Sequence, residues 1–128
     1  MQRQVISTPN APAAIGPYSQ AIKASGTFVF LSGQVPLRPD GTMVEGDIRK
    51  QCEQVMNNLA AVLEASGLTF AHVVKTTILL SSMDHFAVVN EVYGARFASE
   101  PPARATFSVV GLPKGADVEI EMIAVCSD

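Results

Sequence analysis

The sequence predicts an α+β domain, one mixed β-sheet with two helices packed on a single face. Three observations carry that prediction. Residues 47–67, "DIRKQCEQVMNNLAAVLEASG", set Ile48, Cys52, Val55, Met56, Leu59, Val62 and Leu63 at helical spacing as one apolar stripe. Residues 81–100, "SSMDHFAVVNEVYGARFASE", read as a second helix that Pro101 and Pro102 end. Strand-like runs lie before, between and after the two, and helices this close to several strands pack onto a shared sheet.

In chain order, "RQVIS" (3–7) supplies a first strand. "YSQAIKASGTFVFLSGQ" (18–34) gives two more, joined at Ser25-Gly26, which predicts a hairpin. "RPDGT" (38–42) carries Pro, Asp and Gly in turn order. Asp47 suits the N-cap of the first helix and Gly67 the position just past its end. "HVVKTTILL" (72–80) is β-branched and reads as a strand. Ser81 or Ser82 caps the second helix, and "ARATFSVVG" (103–111) and "VEIEMIAV" (118–125) are the last strands. The order is β-β-β-α-β-α-β-β. The sheet face away from the helices is left bare.

Composition bears on that bare face. The chain has 128 residues, enough for one domain spanning 1–128, with 48% hydrophobic and 16% charged residues. Soluble domains carry roughly 25% charged residues. A surface this short of charge predicts cover by another copy of the chain. The net charge of −3 shows no basic surplus, so a nucleic-acid partner is not expected. Cys52 and Cys126 fit no zinc motif and read as reduced thiols. The N-terminus lacks an apolar signal core, and no apolar run approaches the ~18 residues of a membrane span, so a soluble cytoplasmic protein is expected.

Residues that contradict their surroundings are the candidates for function. Asn90 lies on the same helical seam as Phe86, Tyr93 and Phe97, either as a structural amide or facing a pocket. Strand alternation puts Arg104, Thr106 and Ser108 on one polar face and Ala105, Phe107 and Val109 on the core side. Arg104 is either a solvated arginine or a permanent cation that grips a carboxylate through paired hydrogen bonds. Glu119 and Glu121 share a face with Ile123 and Val125. They are either edge-strand charges that discourage aggregation, or a partly buried carboxylate able to exchange protons near neutrality. Tyr18, after the Gly16-Pro17 turn, is a packed tyrosine or an aromatic wall for a small ligand. Ser32 and Lys75 stay ambiguous. His72 and His85 lack partners at metal spacing, and no P-loop, dinucleotide fingerprint or Ser-His-Asp order is present, so neither a metal nor a cofactor is expected.

Taken together, "APAAIGPYSQAI", "FLSGQVP", "VVKTTILL", "FAVVNEVY", "PPARATF" and "LPKGADVEIEMIAV" resemble the Rid family, the RidA- or YjgF-like enamine/imine deaminases, nearly end to end. The resemblance implies a chorismate-mutase-like fold and a homotrimer with clefts between subunits. It also implies cofactor-free hydrolysis of 2-aminoacrylate-type enamines, or their 2-imino acid tautomers, to 2-keto acids and ammonia. Position by position, Arg104 matches the family's carboxylate-binding arginine and Glu119 its acidic residue. Tyr18, Ser32, Gly33 and Asn90 match cleft positions. Some members carry cysteine where Thr106 stands here, so no thiol nucleophile is available at that place. The alternative on the same scaffold is a trimeric module that binds small keto or amino acids without turning them over.

One geometric difficulty accompanies this reading. "GLPKGAD" (111–117) is too short for a parallel crossover. If the two strands flanking it formed a simple hairpin, Arg104 and Glu119 would lie at opposite ends. Their cooperation requires that these strands not pair, or that one residue come from a neighbouring chain.

Overall fold

The structure, a computed structural model, describes residues 3–126. Six strands and two helices follow the expected order: β1 (Arg3–Ile6), β2 (Ala21–Ala24), β3 (Thr27–Gln34), α1 (Ile48–Ala65), β4 (Val73–Leu80), α2 (Phe86–Gly94), β5 (Ala103–Ser108) and β6 (Val118–Cys126). Among the described residues no helix is long and apolar enough to cross a membrane.

Four strands form a mixed sheet in the order β3-β6-β4-β5, with β4 parallel to β5 and antiparallel to β6. The strands flanking 111–117 are therefore not neighbours, because β4 lies between them. The hairpin expected at Ser25-Gly26 does not form. β2 pairs with β1 in a separate two-stranded ribbon, and β3 pairs with β6. Gly26 makes the transfer between sheets. Its φ is +132°, and a Cβ there would run into the carbonyl oxygen of Cys126.

α1 forms as its signals direct. The Asp47 side chain accepts from Arg49 N at 2.8 Å. At the other end Gly67, at φ +76°, lets its own N–H reach Glu64 O at 2.9 Å and Leu68 N reach Leu63 O at 2.8 Å. This closes the helix in a Schellman motif. Of the predicted stripe, Val62 falls outside the core at 39% exposed, and Gln51 is buried in its place. Gln51 Nε2 donates to Asp117 Oδ2 at 3.0 Å, and its Oε1 accepts from Asp117 N at 3.0 Å. A buried amide with both ends satisfied carries little penalty.

The second helix is shorter than its pattern. A 3-10 turn at Met83–His85, capped by Ser82, precedes α2, and the helix ends at Gly94 rather than at Pro101. Gly94 packs against the Pro17 ring, where a Cβ would sit 3.1 Å from the Pro17 Cβ. The close approach of the 7–20 segment selects a glycine there, and glycine is a poor helix former.

Val118, Ile120, Met122 and Ala124 of β6 join Ile78 and Leu80 of β4 and the apolar faces of both helices in one core. The opposite face is bare, with Phe28, Phe30 and Phe107 exposed by 51%, 71% and 52%. This reverses the expectation for β5. Phe107, expected on the core side, faces outward. Arg104 and Thr106 pair in register with the buried Thr76 and Ile78, so they lie on the helix side. Because β5 is an edge strand beside the short α2, its inward face opens toward a margin where a polar residue can be accommodated.

Candidate active site

α2 and the 7–20 segment meet over β5, and Arg104 fills the space between them. Its Nη1 donates to Asn90 Oδ1 at 2.6 Å. The guanidinium carbon lies 5.4 Å from the ring centres of Tyr18 and Tyr93 and 5.8 Å from that of Phe86. The three α2 contributors follow from helical spacing, since positions 86, 90 and 93 recur on one face. Tyr18 is placed by its own loop. Its N–H donates to Gly16 O at 2.8 Å, its hydroxyl accepts from Ile15 N at 3.3 Å, and the next residue, Ser19, donates from its backbone to Pro102 O at 3.1 Å.

The electrostatics of this pocket are unbalanced. Among the described residues no carboxylate pairs with Arg104. Its one hydrogen-bond acceptor among the described residues, an amide, is neutral. Burial lowers the Arg104 pKa, opposed by Tyr93 and Tyr18, but a guanidinium keeps its proton in any folded protein. Beside it, Thr106 Oγ1 is buried without a hydrogen-bond partner among the described residues. A half-buried cation and an orphan hydroxyl thus share one strand face, and a guanidinium can hold a carboxylate through paired N–H donors.

Glu119 lies elsewhere. In β6 it is in register with Leu79 and so points to the bare face, opposite to Arg104. Gly33 accompanies it at an irregularity of the β3–β6 pairing between Leu31 and Gln34. A Cβ on Gly33 would run into Glu119 Oε2 and lie 3.0 Å from its Cδ. The carboxylate therefore rests on bare backbone. Ser32, next to it, is exposed.

The seven sequence-derived candidates thus divide in two. Arg104, Asn90, Tyr18 and Thr106 gather on one side of the sheet, and Glu119, Gly33 and Ser32 on the other. Sequence reasoning passed over Tyr93 and Phe86 as site residues, although both share the seam of Asn90. It also passed over Thr76, a polar residue at a buried strand position whose Oγ1 shares a 2.8 Å hydrogen bond with the Tyr93 hydroxyl. Burial pushes that phenol up to about 12. Of the two histidines, His72 Nδ1 accepts from Thr69 N at 3.0 Å, and His85 Nε2 lies 3.9 Å from Asp117 Oδ1. Among the described residues no group of three or more His, Cys, Asp or Glu side chains is placed to hold a metal ion.

Comparison with known proteins gives consistent results. The sequence model of a family described as Endoribonuclease L-PSP matches residues 8–126. Protein DfrA of Myxococcus xanthus is 56% identical over 98% of this chain and 97% of its own. A 2-iminobutanoate/2-iminopropanoate deaminase of Mus musculus is 50% identical over 96% of this chain and 91% of its own. The crystal structure of YyfA, a Rid-family protein of unknown function from Yersinia pestis, covers 97% of this chain and 99% of its own at 49% identity and a TM-score of 0.76.

Proposed function

The chain belongs to the Endoribonuclease L-PSP family, the family of the RidA- and YjgF-like Rid proteins, and on that premise we propose that it is a cofactor-independent hydrolytic deaminase. Its substrates are reactive 2-aminoacrylate-type enamines and their 2-imino acid tautomers, and its products are 2-keto acids and ammonia. The relatives named 2-iminobutanoate/2-iminopropanoate deaminase support this reading. The observation that carries it is the Arg104 cation, half-buried among aromatic rings beside an uncharged acceptor. Such a charge is complemented by a small carboxylate.

The chemistry asks little of the protein. The enamine takes a proton at its terminal carbon and becomes an iminium. Water adds to the C=N carbon and loses a proton, giving a carbinolamine. The carbinolamine nitrogen is protonated and leaves as ammonia while the hydroxyl gives up its proton and becomes the carbonyl. Arg104 would hold the carboxylate through paired N–H donors, Tyr18 would pack against the small substrate, and Thr106 would meet a polar atom next to the carboxylate. Glu119 would take the proton from water and return one to the departing nitrogen. Because Glu119 and Arg104 occupy opposite sheet faces, Glu119 would come from the neighbouring protomer of a homotrimer whose subunits cover one another's exposed Phe28, Phe30 and Phe107. The net charge of −3 gives no support to RNA as the substrate, although the family description names a ribonuclease.

A pyridoxal-phosphate threonine dehydratase coupled to this protein tests the proposal through the rate of ammonia and keto-acid release. Release is expected to accelerate with wild type and to fall to background with Arg104→Ala. Equal rates with and without wild type would reject the reading for that substrate. The binding-module alternative is favoured by one observation, that within a single chain Glu119 lies on the sheet face opposite to Arg104. Binding of a 2-oxo acid with no turnover by wild type would select it.

A further inference from the structure

Two side-chain hydrogen bonds link α2 to the sheet beneath it. One is Arg104 to Asn90; the other joins Tyr93 to Thr76. Both pass through the guanidinium's surroundings. Thr76 is the β4 residue in register with Arg104, and Tyr93 lies one helical turn beyond Asn90. Thr76 and Tyr93 are buried, at 1% and 0% exposed. Tyr18, by contrast, is partly open to solvent. Among the rings around Arg104, Tyr93 is thus the fixed floor, and Tyr18 the outer wall.

From this arrangement we propose that Thr76 and Tyr93 are positioning residues for Arg104. Their hydrogen bond sets where α2 sits on the sheet, and so where the tyrosine ring and the Asn90 oxygen meet the guanidinium. The proposal rests on the reading of Arg104 as a carboxylate anchor. Neither residue touches the substrate; each acts through the orientation of the cation. The hydroxyl pair is not explained by packing alone. A phenylalanine opposite a valine would fill the same space without two buried polar atoms that must find one another.

The test separates positioning from plain stability. Thr76→Val leaves the Tyr93 hydroxyl buried without its partner, so it lowers both stability and affinity. Adding Tyr93→Phe removes both polar atoms together, which returns stability close to wild type. If the hydrogen bond positions Arg104, the double variant regains its Tm yet keeps a KM raised about fivefold, with kcat little changed. Recovery of KM together with Tm would overturn the proposal. A second readout needs no substrate. The Arg104 Nη1–H that donates to Asn90 Oδ1 should exchange slowly with solvent in wild type and give a sharp NMR signal, and the double variant should lose that protection. An unchanged Arg104 signal would also overturn the proposal. If wild type neither binds a 2-oxo acid nor accelerates ammonia release, the functional reading fails on its own, and the Arg104 signal still decides whether the pair holds the guanidinium.

Discussion

Arg104 and Asn90 are joined by a hydrogen bond of 2.6 Å in which the donor is charged and the acceptor is not. The distinction matters more than the distance. An amide orients a guanidinium and leaves its charge available to a third partner. A carboxylate of the same shape would orient it equally well and neutralise it.

Asn90→Asp is therefore expected to be worse for ligand binding than Asn90→Ala. The aspartate would form a permanent internal pair with Arg104 and compete with any incoming carboxylate. Affinity for a 2-oxo acid, measured by calorimetry, should fall at least about tenfold in Asn90→Asp and by less in Asn90→Ala. The fold should survive both changes, since Asn90 is only partly buried. Equal affinities in wild type and Asn90→Asp would mean that the Arg104 charge is not what the ligand reads.

The second half-site invites a different substitution. A methyl group on Gly33 collides with Glu119 Oε2, the far end of a flexible side chain, not with backbone. Gly33→Ala should thus fold, with a Tm within a few degrees of wild type, while pushing the carboxylate from its seat. Deaminase turnover should drop on the order of a hundredfold, the scale of removing acid–base help. A variant with normal Tm and normal turnover would remove Glu119 from the mechanism.

Much of this architecture could be read in advance, and the failures have identifiable causes. The first helix was legible at both ends because Asp47 and Gly67 supply local signals that act within a few residues. The second ran long in the sequence reading because its pattern continues past Gly94. It ends at Gly94, a poor helix former selected by the close approach of the Pro17 ring, a contact distant in sequence. The hairpin at Ser25-Gly26 failed for a related reason. Turn residues show that the chain bends, while strand partners are chosen by the whole sheet. In β5 the alternation was right and its orientation was inverted. An edge strand beside an open margin carries its polar residues inward and its phenylalanine outward, so hydrophobicity points to the wrong side. Arg104 and Asn90 stood out in sequence because they interrupt apolar seams. Tyr93 did not, because an aromatic residue on an apolar seam is what a core requires.

Two buried groups predict how stability depends on pH. Burial pushes Cys52 from an ordinary 9.0 up to about 12, and Tyr93 from 10.0 up to about 12. Both are neutral acids whose ionisation folding suppresses. The folded state holds its proton where the unfolded chain releases it, so stability falls as pH rises. This contribution is complete below about pH 9 and erodes as pH climbs through 9 to 12. The Tm should be flat from these groups between pH 7 and 8.5 and should decline beyond that, with Cys52→Ala showing a shallower decline than wild type. Parallel curves for the two proteins between about pH 9 and 11 would show that the thiol is not held neutral by the fold.

The arrangement of the two half-sites makes a prediction that no single-chain site shares. Arg104 and Glu119 face opposite sides of one sheet, so a cleft using both must draw them from different protomers. Arg104→Ala alone should be inactive, and so should Glu119→Gln. In the proposed homotrimer, mixing the two variants by co-expression should give some clefts that pair an intact Arg104 from one protomer with an intact Glu119 from the next. With random assembly each residue is intact at half of its positions, so about a quarter of wild-type activity should return. Mixing the two after separate folding should restore activity only as fast as the trimers exchange subunits. Had both residues served one site within a chain, every site in the mixture would carry one lesion and no mixing ratio would recover turnover. Activity that stays at background in co-expressed, trimeric material would therefore reject the shared cleft.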